Sequence, residues 1–206
     1  MRVAVVGGTG DFGLALAQRL AEAGDHVVIG SRDAERARAK AADAGAAGGA
    51  ANVDAVRGVD IVVLAVKADA AIPTAVELAD AIGRTPVLSV ASALRFTKSG
   101  VHPTDDDRSI AERTQELLRG PVAAGLHSLA AASLAAGKAD GDALVCGDDP
   151  VAKDLALELA ARVIQGRALD AGPLSSARAL EGMTAVIVNL NKRYRAHAGV
   201  QVTGLP

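Results

Sequence analysis

The chain is short of the residues that build several common kinds of site. Its 206 residues hold one cysteine, no tryptophan, one tyrosine and two phenylalanines. A lone Cys146 excludes a disulfide framework within the chain, and the four histidines are too scattered to complete a zinc site with it. Set in the apolar run ALVCG, Cys146 reads as buried filler rather than a nucleophile. Neither sign of charge dominates: 22 basic against 24 acidic residues leave a formal net charge of -2, with no basic field to attract nucleic acid. Uninterrupted apolar stretches stay below the roughly 18 residues of a membrane span, and Met1 leads into an apolar run without a basic leader. These absences predict a soluble cytoplasmic protein with a small-molecule partner, and neither nucleic acid nor membrane as a partner.

What the chain has in quantity is alanine, glycine and short β-branched runs. Those runs alternate with alanine-rich helical segments, the pattern of βα units feeding a parallel sheet. Val3 to Val6 predicts a first strand, and LALAQRLAEAG a helix that Gly24 ends. Further strands are expected at His26–Gly30, Asp60–Val66, Thr85–Val90 and Pro121–His127. AAGGAANV has little β propensity, and is assigned a strand only because the alternation needs one there. Residues 91–107 read as an irregular polar loop. Six strands in the order 3-2-1-4-5-6 would make an α/β, doubly wound Rossmann domain over residues 1–127. A smaller C-terminal α/β lobe on the substrate side is expected over 128–206, ending in a long helix that Pro173 opens. The apolar stretch MTAVIVNL in that helix suits burial against the other lobe or a second subunit.

Gly8, Gly10 and Gly13 match G-x-G-x-x-G between a strand and a helix, the context that makes the pattern informative. The first permits a tight turn, the second lets backbone approach a pyrophosphate, and the third allows close packing of helix on strand. At the end of the second strand an NAD enzyme carries a carboxylate for the ribose 2′-hydroxyl. Here Gly30, Ser31 and Arg32 stand instead, with Arg36 one helical turn on and Thr9 nearby, a set suited to a 2′-phosphate. Asp33 is better explained by the favourable first turn of the next helix. The bland alternative is that Arg32 and Arg36 are solvated surface cations.

No catalytic triad is evident, and the only tyrosine, Tyr194, has Ala198 rather than lysine four residues on, which excludes the short-chain dehydrogenase mechanism. Hydride transfer needs none, because holding two rings about 3 to 3.5 Å apart supplies much of the catalysis. His127 is the one histidine at a predicted carboxyl edge of the sheet, as substrate contact or structural residue. Asp105 to Asp107 and the pair Asp148 and Asp149 read as helix starts, not metal ligands.

These residues resemble the reductases that exchange hydride between NADPH and the 8-hydroxy-5-deazaflavin coenzyme F420. The resemblance runs from MRVAVVGGTGDFG through GSR and VCGDD to LDAGPLSSAR, the last two lying outside the nucleotide motif. It implies an oxidoreductase with NADP(H) as cofactor and the deazaflavin as co-substrate, stacked in a cleft between lobes. By position, Thr9, Ser31, Arg32 and Arg36 would hold the 2′-phosphate, and Gly10, Asp11 and Phe12 the pyrophosphate. Val66 and Lys67, where family members often carry proline, would line the cofactor site. His127 and the backbone near Ala131 would border the nicotinamide, His127 touching substrate as well, and Gly204 and Leu205 would approach the deazaflavin. Two other readings stay open: an NADPH-dependent imine or hydroxy-acid reductase, and a non-catalytic NADPH-binding sensor. The C-terminal helix also offers a homodimer contact.

Overall fold

The computed structural model describes residues 1–205. The chain begins β1 (Arg2–Val6), α1 (Asp11–Glu22), β2 (His26–Ser31), α2 (Ala34–Asp43), β3 (Gly48–Ala51), α3 (Asn52–Ala55), β4 (Ile61–Leu64), α4 (Ala68–Ile82) and β5 (Val87–Ser89). A hairpin, β6 (Leu94–Thr97) and β7 (Gly100–Pro103), comes next, then α5 (Ile110–Gln115) and β8 (Val122–Gly125). The remainder is α6 (Ala131–Ala136), β9 (Ala143–Gly147), α7 (Pro150–Val163), β10 (Ala168–Asp170), a 3-10 turn over Leu174–Ser176, and α8 (Ala177–Tyr194).

Eight strands form one sheet in the order β10-β9-β8-β5-β4-β1-β2-β3. The six from β3 to β8 carry the expected doubly wound order, all parallel. The RVAVV and IVVL runs of β1 and β4 are apolar without alternation because both faces of a parallel sheet are covered. Leu16, Leu20, Ala37, Leu159 and Val163 pack one face, and Ala75, Leu78, Ile110 and Leu180 the other. At β9 the sheet turns antiparallel, and β10 pairs parallel beyond it. Residue 127 falls between β8 and β9, and the two strands after it extend the same sheet.

Two local expectations differ from the structure, and a third, the weakest strand, is met. The segment 91–107 contains the β6–β7 hairpin, closed from outside the segment: Asn189 of α8 donates to the Val101 carbonyl at 2.7 Å and accepts from its N–H at 2.9 Å. Arg178 adds bonds to the carbonyls of Thr104 and Asp106. Pro173 precedes the 3-10 turn, and the long helix starts only at Ala177. The glycine-rich β3 does form, and Gly49 explains how: a Cβ there would stand 2.2 Å from the Ala37 carbonyl, so α2 lies directly on the strand.

Candidate functional site

Parallel register gathers the site at one edge of the sheet. Val6 is level with Gly30 of β2 and with Leu64 of β4, so the next residues, Gly7, Ser31 and Ala65, emerge together at the switch point between β1 and β4. A cleft of about 910 Å³ opens there, lined by these three with Thr9, Gly10, Arg32, Arg36, Asn52 and the face of α4 that includes Pro73 and Glu77.

The glycines divide their labour. Gly7 takes φ +82° and donates to the Gly30 carbonyl at 3.1 Å. Beneath the loop, a Cβ on Gly13 would come within 2.6 Å of the Gly7 carbonyl, and one on Gly8 within 2.8 Å of the Val5 carbonyl. Gly10 differs, for its nearest neighbour would be 3.5 Å away, leaving room above it for a ligand. It is the N-cap of α1 and carries no capping side chain, so the first amides of that helix, at Asp11 to Gly13, are available to an anion.

Around the end of β2, Asp33 caps α2 by accepting from the Arg36 N–H at 3.1 Å, the helix-start role expected of it. Ser31, buried, accepts from the Asp33 N–H, and the Arg36 guanidinium reaches the Thr9 carbonyl at 3.4 Å. Arg32 is exposed at the cleft wall with no ion pair among the described residues. Thr9, Ser31, Arg32 and Arg36 therefore share one corner, with hydroxyl and guanidinium groups suited to a phosphate.

A second cavity of about 220 Å³ adjoins the first, sharing Ala65, Val66 and Lys67 with it. Its other walls include Phe12, Ala91, Ser92, Leu126, His127 and Thr184. Leu126 adopts φ +65°, a left-handed conformation costly for a side chain of its kind, and so turns β8 sharply into His127. The His127 ring donates from Nε2 to the Ala91 carbonyl at 3.3 Å, while Nδ1 is buried without a partner among the described residues. Burial pulls the His127 pKa down to about 4, opposed only by the Ala91 bond, so the ring is neutral at pH 7. Thr184 of α8 donates to the His127 carbonyl at 3.0 Å, and its Oγ1 lies 2.8 Å from Ser92 Oγ. One turn earlier on α8, burial pushes Glu181 up to about 7 against the pull of the Ile110 and Ala111 amides.

Of the residues singled out from the sequence, Thr9, Gly10, Ser31, Arg32 and Arg36 meet in the first cleft, Phe12 and His127 in the second, and Val66 and Lys67 in both. Gly8, Asp11 and Gly13 build the loop and helix start. Ala131, the first residue of α6, lines neither cavity, and neither do Gly204 and Leu205 at the end of the tail. Asn52 and Thr184 were missed. Asn52 had a findable signal, a polar residue at the carboxyl end of a strand, whereas Thr184 sits in an apolar helical run that gives none.

The family described as NADP oxidoreductase, coenzyme F420-dependent, matches residues 2–93. The F420-dependent NADP reductase of Methanothermobacter thermautotrophicus is 37% identical, the alignment covering 100% of this chain and 96% of that one. That of Methanocaldococcus jannaschii is 32% identical, covering 100% and 99%. A solved structure from Arthrobacter sp. FB24 shares the fold with a TM-score of 0.83 at 24% identity, over the whole of both chains. Likeness at this level, over the full length of the chain, places it in the family of F420-dependent NADP reductases.

Proposed function

We propose that the chain moves a hydride between NADP(H) and the deazaflavin coenzyme F420, the reaction for which its relatives are named. The observation that carries the reading is the pair of contiguous cavities: a large one over the glycine loop and a small one against His127, joined at Val66 and Lys67. The residues fit the cofactor. Four side chains that can take a 2′-phosphate share one corner, α1 starts without a capping side chain, and of the loop glycines Gly7, Gly8, Gly10 and Gly13 it is Gly10 that has an open approach.

In this reading Thr9, Ser31, Arg32 and Arg36 hold the 2′-phosphate, and the Gly10, Asp11 and Phe12 backbone takes the pyrophosphate. When bound, the nicotinamide and the deazaflavin supply the carbons between which hydride passes. The chain's own work is positioning. Val66 and Lys67 wall the junction of the cavities, and Phe12 and His127 both line the second. His127 offers an unpaired Nδ1 acceptor rather than a proton, because its ring is neutral. The tail supports roles for Gly204 and Leu205 on the deazaflavin: Val202 is tied to the Asp142 carboxylate at 2.8 Å, and the Asp142 carbonyl accepts from Ser128, next to His127. Ala131 lies two residues beyond Leu129, itself in the second cavity, and would border the nicotinamide.

The test mixes purified protein with NADPH and oxidised F420 and follows the visible absorbance of the deazaflavin. Loss of that absorbance, matched mole for mole by NADPH consumption, is expected. Bound NADPH with no bleaching at any pH would remove the reading.

Two finer points belong with it. We assign the enzyme to the cytoplasm, a reading supported by its single thiol being free and buried. A second copy of the chain is assigned to the outer face of α8. Val186, Leu190 and Tyr194, spaced four apart, form one stripe there and are 56%, 38% and 68% exposed. Light scattering should report a dimer that Leu190→Glu converts to monomer; a monomeric parent protein would end that assignment.

A further inference from the structure

Asn52 is the most deeply buried polar side chain of the large cleft. It is only 6% exposed, yet the carboxamide makes no hydrogen bond among the described residues, and Oδ1 is fully enclosed without a donor. A buried amide left without partners is costly, and native proteins retain such a group where something else completes it. Its place in the fold says what that is. Ser31 of β2 is level with Ala51 of β3, so Asn52 is the first residue past that register and stands beside Ser31 and Arg32 at the carboxyl edge.

The side chain lies on Gly30. A Cβ at that position would fall 2.9 Å from Asn52 Oδ1 and 3.3 Å from the Ala55 Cβ, so any larger residue there would dislodge the amide. Gly30 takes no positive φ, which leaves the seating of Asn52 and Ala55 as the reason for glycine at the head of the Gly30-Ser31-Arg32 run. We infer that Asn52, seated on Gly30, is a further specificity residue for the nucleotide, presenting its carboxamide to the phosphorylated adenosine ribose beside Ser31 and Arg32. Rotation about the Cβ–Cγ bond exchanges the ends of the group, so it can offer two N–H donors to phosphate oxygens or an acceptor to the remaining ribose hydroxyl. Arg32 and Arg36 supply charge. Asn52 supplies short-range, directional recognition beside them.

The inference rests on the cleft taking NADP(H), and its test separates the two. Titration calorimetry with adenosine 2′,5′-bisphosphate and with AMP needs no turnover. Asn52→Ala is expected to weaken the bisphosphate about tenfold and AMP by less, while the melting temperature of the ligand-free protein stays unchanged or rises, since no bond within the protein is lost. A residue serving only structure would lower the melting temperature and leave affinity intact. Asn52→Asp, nearly isosteric, should lose the bisphosphate more severely than Ala through repulsion, and Gly30→Ala should mimic Asn52→Ala. Parent protein that binds the bisphosphate, with both Asn52 variants binding it equally well, would overturn the role of Asn52 alone. Parent protein that does not bind it would overturn the nucleotide reading and this inference together.

Discussion

Thr184 Oγ1, on the long C-terminal helix, lies 2.8 Å from Ser92 Oγ, on the segment that leaves β5 for the β6–β7 hairpin. The same hydroxyl donates to the His127 carbonyl, so one side chain ties α8 to two walls of the small cavity. Thr184→Val keeps the shape and removes both bonds, worth about 1 kcal/mol each. The expected result is a several-fold rise in KM for the deazaflavin with the Kd for NADPH unchanged, read from steady-state kinetics and calorimetry. An equal loss for both ligands would show that the hydroxyl supports the whole fold and not this cavity.

Selection of NADPH over NADH should depend on Arg32. Its guanidinium has no ion pair to release among the described residues, so contact with a 2′-phosphate is gained in full, worth roughly 1.5 to 3 kcal/mol, or about 10- to 100-fold in affinity. Arg32→Ala should lose that factor for NADPH and almost nothing for NADH. Parallel losses in competition binding would mean that the 2′-phosphate sits elsewhere.

The buried His127 and Glu181 give opposite pH dependences of stability. For His127, the unfolded chain takes up a proton below pH about 6.5 that the folded chain refuses until about 4, so stability falls as pH is lowered through that window, by about 3 kcal/mol in full. For Glu181, the folded chain retains a proton up to about pH 7 that the unfolded chain releases near 4.5, so stability falls as pH is raised. The parent protein should therefore show a shallow profile between pH 4.5 and 6.5 from these two groups. His127→Asn should leave stability falling as pH rises, and Glu181→Gln should leave it falling as pH drops. Urea midpoints at four pH values test this, and identical profiles for both variants would refute it.

The glycines of the loop separate stability from binding. Gly13→Ala drives a methyl into the Gly7 carbonyl and should cost about 1 to 3 kcal/mol, lowering the melting temperature by roughly 3 to 10 °C. Gly10→Ala meets nothing closer than 3.5 Å and should melt like the parent protein, yet bind NADPH far more weakly. A thermal scan with and without NADPH distinguishes the pair; a large melting-temperature loss for Gly10→Ala would contradict the division drawn here.

The legible parts of this protein were those in which neighbours along the chain do the work. The G-x-G-x-x-G run, the Ser31-Arg32 pair, the Asp33 cap and the apolar β1 and β4 all act within a few residues of themselves, so spacing alone exposes them. Asn189 is the counterexample, because its hold on Val101 spans 88 positions and turned an expected irregular loop into a hairpin. The third strand is intermediate: GGAA has poor β propensity, and it forms because α2 presses onto Gly49.

By itself the sequence determined the succession of strands and helices in the first half, the glycine loop and the Ser31-Arg32 pair with Arg36 one turn on, since local propensity and the period of apolar residues act through short-range forces. Only the tertiary structure decided that β9 and β10 extend the same sheet, that Thr184 from a distant helix closes the small cavity, and that Asn52 lies unpartnered in the large one. Those outcomes depend on which surfaces meet, and a contact between residues many positions apart is set by the packing of whole elements, which no single stretch of sequence carries.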